Sequence, residues 1–186
     1  IYHWGTIGIG LNVKKISAIF PEANLSDLSL LFDPANAKKM SKCGISILDS
    51  RIHFLPAVFH FLGLQANSTE PEDIEAVYQM LKSIRPYISS FSSASYLDQL
   101  ISGELCYAIG YSGDILRVMA EAKKTGLKTD VKFFLPHQGA QIGFDMIAVP
   151  VDAPHPENAF KFINFILDPE NMAEATNYVR YANAVP

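Results

Sequence analysis

The phrase Gly103-Glu104-Leu105-Cys106-Tyr107-Ala108-Ile109-Gly110-Tyr111-Ser112-Gly113-Asp114 holds the clearest binding chemistry of the chain. Its apolar run predicts a strand over 105–109, followed by an aromatic among glycines and then an acid at the start of a helix. A flat ring and a carboxylate thus meet at the carboxyl end of a strand, where open α/β sheets bind small ligands. A helix N-terminus ordinarily favours an anion. Here Asp114 is expected to cap it, which leaves the free side of the carboxylate to a cation. An aromatic face adds roughly 0.5–2 kcal/mol per well-placed cation. The competing reading of the same pair is a buried tyrosine and an ordinary capping aspartate.

Asp145 is an acid in an apolar setting. It stands beside Phe144 and ahead of the apolar run Met146-Ile147-Ala148-Val149, where an unpaired carboxylate is costly to bury; the alternative is a solvated acid at a strand entrance. His53 is either a neutral hydrogen-bonding contact or a surface residue. It lies seven residues from His60, about two helical turns, too far for a metal pair. His3, His137 and His155 add no ligand spacing, so no metal site is expected. No histidine forms a local nucleophile motif with Cys43 or Cys106, and Gly110-x-x-Gly113 lacks the phosphate-loop glycine pattern and its lysine. Neither an enzyme nor a cofactor is expected.

The elements that must hold these residues alternate between strand and helix. Residues 1–13 read as extended around Gly5, Gly8 and Gly10. A helix is predicted near 34–42 with Pro34 in its first turn, then a short strand at Gly44-Ile45-Ser46-Ile47-Leu48. Asp49 and Ser50 offer capping chemistry for a helix over 52–62, with Pro56 in its first turn or kinking it. Thr69-x-x-Glu72 reads as a capping box opening a helix with Ile74, Val77, Leu81 and Ile84 on one face. A short helix begins near Ser95, and one over 113–124 ends at Gly126. Strands follow at 131–135 and 145–149, and a helix is introduced by Asp152-Ala153-Pro154-His155-Pro156-Glu157. Such alternation indicates an α/β fold with a largely parallel sheet.

With 186 residues the chain suffices for one large or two small domains. Apolar residues at 49% and charged residues at 18% describe a globular protein. A net charge of -4 without a dense Lys/Arg block argues against nucleic acid as a partner. No apolar run approaches the roughly 20 residues that cross a bilayer. Beginning at Ile1 and ending at Pro186, the chain reads as a mature or excised piece of something longer. Two cysteines are compatible with one disulfide or with two thiols.

The chain resembles the periplasmic polyamine-binding proteins of ATP-driven (ABC) importers, particularly the putrescine-binding branch. The matching motifs are Tyr2 through Asn12, Cys43-Gly44-Ile45-Ser46-Ile47-Leu48-Asp49, Gly103 through Asp114, Phe144-Asp145-Met146-Ile147-Ala148-Val149-Pro150, and Tyr181-Ala182-Asn183-Ala184, in family order. The resemblance implies a type II periplasmic-binding-protein fold with two α/β lobes clamping a small solute. Residues 1–7 would cross between lobes, 8–130 form the second lobe, 131–137 cross back and 138–186 return to the first lobe, much of which is absent. It also implies that Tyr111 packs on the solute, that Asp114 and Asp145 bind ammonium groups and that Tyr181 closes the pocket, with Tyr178 as a rival for that role. Two positions depart from the family. An acid expected after Leu48-Asp49 is replaced by Ile52 or His53, and an aromatic two residues before Asp145 is Gly143.

Further expectations follow from the resemblance. The protein is extracytoplasmic or periplasmic, captures a small cationic amine such as a polyamine, and hands it to the importer's membrane subunits. The alternative is a sensor or scaffold module that recognises a different amine, an amino acid or a protein surface. If the strands after Cys43 and Cys106 are parallel neighbours, as in the family, a Cys43–Cys106 disulfide follows. The absent half-lobe implies exposed apolar surface on 138–167 and self-association of the isolated chain.

Overall fold

The alternating residues near the start fold as one long strand, β1 (His3–Asn12), in a computed structural model that describes residues 1–126 and 130–185. The expected segment boundary at 8–130 therefore includes three residues, 127–129, outside the described ones. After β1 come α1 (Val13–Ile19), α2 (Ser29–Phe32), α3 (Pro34–Met40), β2 (Ile45–Ile47), α4 (Arg51–Phe61) and α5 (Pro71–Ile84). Then follow β3 (Ser90–Phe91), α6 (Tyr96–Ser102), β4 (Tyr107–Tyr111), α7 (Ser112–Thr125) and β5 (Val131–Phe134). The last elements are β6 (Ile142–Phe144), α8 (Pro156–Ile166), α9 (Pro169–Val179) and β7 (Ala182–Asn183).

β1 organises the sheet because its two halves have different neighbours. Along Ile7–Asn12 it lies between β4 and β5 in the strand order β3-β2-β4-β1-β5. Along His3–Thr6 the flanking strands are instead β6 and β7. All four partners run antiparallel to β1, whereas β2 is parallel to both β3 and β4. The sheet is therefore mixed and not largely parallel. Strand–helix alternation signals crossovers such as β2–β4, but it is blind to a strand whose partners lie far along the chain.

The core gathers around the second half of β1. Ile9, Leu11, Ile45, Ile47, Tyr107 and Ile109 come from the sheet, and Leu31, Phe32, Met40 and Val58 from the helices, all fully or almost fully buried. Each such aliphatic or aromatic side chain contributes about 1.5–3 kcal/mol of burial free energy. Cys43 and Cys106 precede the parallel neighbours β2 and β4, whose register pairs Ile45 with Tyr107. The strand starts therefore align, and the two residues form a disulfide with Cα atoms 5.5 Å apart.

Several local expectations are corrected. α5 starts at Pro71 with Glu70 at its N-cap position and no side-chain cap bond, so Thr69 and Glu72 form no capping box. Proline's fixed φ starts the helix one residue later than the motif implies. Ile74 on that helix is 51% exposed. Pro56 lies inside α4, beyond its first turn, and Ser50 occupies the N-cap position without a side-chain bond. Asp49 instead accepts a hydrogen bond from the Ser93 hydroxyl. Residues 145–149 form no strand: the ladder runs through Ile142–Phe144, and Asp145 is the last residue to bond across to β1. Beyond it Met146 is 77% exposed. On α8, Phe160, Phe162 and Phe165 are exposed as well, so the expected apolar surface on 138–167 is present.

Candidate functional site

Where β1 exchanges neighbours, side chains from several distant segments surround a cavity of about 310 Å³. Gly5, Thr6 and Ile7 of β1 line it, together with His53 of α4, Tyr111 at the end of β4 and Asp114 of α7. Gln141, Gly143 and Asp145 line it from β6 and its flanks, and Tyr181 from the residues just before β7. All five residues nominated from sequence as solute contacts, His53, Tyr111, Asp114, Asp145 and Tyr181, are thus brought together. Tyr178, the rival aromatic, is 79% exposed and does not line this cavity.

Local structure holds each group in place. Tyr111 ends β4 opposite Ile7, and its backbone N–H donates to the Tyr96 hydroxyl at 3.2 Å. Its own hydroxyl shares a 2.8 Å hydrogen bond with Nδ1 of His53. The two rings meet edge to face, centroids 5.3 Å apart. His53 is therefore no free surface residue; it is fastened to the tyrosine.

α7 begins at Ser112, with Tyr111 in the N-cap position and no side-chain cap bond. The expected capping role of Asp114 is corrected accordingly. Its third position in the helix is within the first turn, where the helix dipole favours an acid, but its carboxylate turns to the cavity instead of the helix amides. The Ser112 hydroxyl accepts from the Thr6 amide at 3.1 Å and ties this helix start to β1. Burial raises the Asp114 carboxyl above the usual aspartate range, with a hydrogen bond from Tyr181 and the charge of Arg117 pulling the other way. Tyr181 is pushed up by burial and then by the Asp114 charge. Burial also raises Tyr111, with the nearby Asp114 and Asp49 charges acting in the same direction.

Tyr181 reaches the cavity because two residues lack side chains. A Cβ on Gly5 would sit 2.8 Å from the Tyr181 ring, and one on Gly113 would overlap it outright. The ring is anchored from behind through β7, where the Trp4 indole N–H donates to the Asn183 carbonyl at 3.3 Å. Asp145 is held by the β1 ladder: its N–H donates to the His3 carbonyl at 2.8 Å and its carbonyl accepts from Tyr2 at 2.7 Å.

Sequence reasoning missed Gln141. Its spacing was legible, since residues 141, 143 and 145 on an extended chain share one face, but the strand was expected to begin only at Asp145. Among the described residues the cavity lining contains two carboxylates and no lysine or arginine. Chemically, the arrangement can hold a cation: carboxylates for charge, tyrosine faces for the attached methylenes.

The chain is similar along nearly its whole length to known proteins. The chain is 42% identical to the putrescine-binding periplasmic protein SpuD of Pseudomonas aeruginosa, over 98% of its own length and 50% of that protein. It is 36% identical to the putrescine-binding periplasmic protein PotF of Escherichia coli, again over 98% of this chain and 50% of that one. Among solved structures, one described as a spermidine/putrescine ABC transporter from Listeria monocytogenes superposes with a TM-score of 0.80 at 27% identity, covering 99% of this chain and 52% of that one. The chain thus spans about half the length of these relatives. Residues 4–186 match the family model described as bacterial extracellular solute-binding protein. A periplasmic-binding-protein-like α/β fold and a family match along nearly the whole chain lead to one conclusion: this chain belongs to the bacterial extracellular solute-binding proteins, a transport family and not an enzyme family.

Proposed function

We propose that the intact protein captures a small cationic amine, polyamine-like in character, in the periplasm and delivers it to the membrane subunits of an ABC importer. The observation that carries this reading is the meeting of Asp114 and Asp145 with Tyr111 and Tyr181 around one cavity. An ammonium group bonded to a carboxylate gains about 1.5–3 kcal/mol, and a tyrosine face adds a further ~0.5–2 kcal/mol. Relatives named for putrescine favour the same class of solute.

In this reading the fold is that of a type II binding protein. Residues 1–7 cross between lobes, 8–130 form the second lobe, 131–137 cross back and 138–186 belong to the first. The exchange of β1's neighbours between Thr6 and Ile7 supports the first boundary. The exposed phenylalanines of α8 then face the remainder of the first lobe in the intact protein, and in its absence they favour self-association. The isolated chain carries only part of the solute's enclosure and binds weakly.

Titration calorimetry of the intact protein against putrescine, cadaverine, spermidine and a set of amino acids tests the proposal. Asp114→Asn and Asp145→Asn should each weaken the preferred amine by about 1.5–3 kcal/mol. Affinity unchanged in both variants, or saturable binding restricted to a solute without an amine, would reject it.

A further inference from the structure

A second cavity, of about 330 Å³, opens where the parallel strands β2 and β3 end. Ile47 and Phe91 pair at that end of the two strands, and the carboxyl ends of parallel strands are where open α/β sheets leave crevices for ligands. α4 and α5 form the walls, with Phe54 and Leu55 on one side and Leu81 and Ile84 on the other. The volume is within the range of about 300–1,000 Å³ typical of small-molecule sites. No residue lines both this cavity and the first one.

The charges at this second cavity are unbalanced. Besides apolar side chains, its lining among the described residues contains only Asp49, Arg51 and Arg85. The Asp49 carboxylate is already engaged by the Ser93 hydroxyl. The Arg85 guanidinium sits over the Phe91 ring, 5.2 Å from its centroid, so it is held at the apolar wall. Among the described residues neither arginine has an ion-pair partner. Arg51 opens α4, whose first turn holds no acid and whose N-cap Ser50 makes no side-chain bond. The positive end of that helix dipole therefore adds to the same potential.

A neutral hydrocarbon gains nothing from the two guanidinium groups, and a cation is repelled by them. A carboxylate, in contrast, matches the guanidinium fork through two parallel N–H donors. We propose that this cavity is a binding site for a small amphipathic carboxylate, its apolar body between α4 and α5 and its carboxylate on Arg51 and Arg85. The inference goes beyond amine capture and does not depend on it.

Octanoate serves as the probe, and calorimetry on the intact protein should show saturable binding at one site. 1-Octanol keeps the chain without the charge, and acetate keeps the charge without the chain. Octanol should bind at least about tenfold more weakly, the worth of one charge-assisted hydrogen bond, and acetate should lose the apolar contacts and bind more weakly still. Both test substitutions are on or just after α5, because α4 also carries His53 of the first cavity. Arg85→Gln, at an exposed position, should weaken octanoate about tenfold and leave octanol unchanged. Leu81→Trp should fill the space and weaken both. Absence of saturable octanoate binding, octanol binding as tight as octanoate, or an octanoate affinity untouched by both substitutions overturns the inference. The last of these would mean adsorption on another apolar surface, such as the exposed phenylalanines of α8.

Discussion

Breaking the Cys43–Cys106 bond gives the most quantitative check on how the fold is held. The cysteines are 63 residues apart in sequence. In the chain-entropy treatment a loop of that length removes about 14 cal/mol/K from the unfolded ensemble, or about 4 kcal/mol at 25 °C. Measured losses for native disulfides range over about 2–5 kcal/mol. With a urea slope of about 2 kcal/mol/M, typical for a chain of this size, a 4 kcal/mol loss moves the unfolding midpoint down by roughly 2 M. The assay is urea unfolding of the oxidised protein, of the same protein under reductant, and of the Cys43→Ala/Cys106→Ala variant. Reduction keeps both sulfurs, whereas the alanine pair also empties a fully buried position at Cys106; the double variant should therefore be the least stable of the three. The slope should rise slightly in both unbridged forms, because an unconstrained unfolded chain exposes more surface. A midpoint shift below about 0.5 M on reduction would refute the account, since it would mean that the bridge constrains little of the unfolded chain.

Two further outcomes follow from the cavity. Because burial lifts the Asp114 carboxyl above the ordinary aspartate value of 3.8, the folded state keeps this proton to higher pH than the unfolded state does. Stability attached to Asp114 is then present at low pH and lost as pH rises from the unfolded value through the raised folded one. Asp114→Asn should therefore gain stability relative to wild type across that window while losing cation affinity; a flat or reversed difference in urea midpoints between pH 3 and pH 7 would contradict this. Gly113→Ala should expel the Tyr181 ring, so it should weaken amine binding about as much as Tyr181→Ala does, roughly tenfold or more. The two substitutions together should cost little more than either alone; additive losses in a double-mutant cycle would show that Gly113 acts some other way.

The meeting of the candidate residues was more legible than the sheet. Tyr111 and Asp114 could be found because their corner is local: a strand, a turn into a helix and three residues of spacing. The solute roles of Asp145 and Tyr181 came from family resemblance, His53 stood between a hydrogen-bonding contact and a surface residue, and the structure brings all three to the same cavity. What could not be read was long-range pairing. An antiparallel neighbour leaves no mark in the local periodicity of either strand, so the mixed sheet went unseen and the strand at 145–149 was inferred from apolar residues that have no ladder partner. Gln141 was missed because the strand was expected to begin only at Asp145, whereas the Gln141 carbonyl already accepts from the Ile7 amide of β1. The capping errors at Thr69 and Asp114 have a different origin. There the motif was present, but a proline and a cavity-facing carboxylate, respectively, took precedence over the helix amides.

β1 also decides the order in which the molecule can assemble. Its contacts close over very long stretches of chain: the Thr6 amide finds Ser112 across 106 residues, and Trp4 finds Asn183 across 179. Contacts of such separation form late and slowly. During synthesis this strand must wait, both edges unpaired, until every one of its partners has been made, and an unpaired edge invites pairing with other chains. Glycines at 5, 8 and 10 make it a poor template for that, since they lack side chains to interlock. The binding cavity is lined by the same strand, so it is among the last features to be completed. If the proposed solute binds there, it can grip only chains that have finished folding and would select for them by mass action.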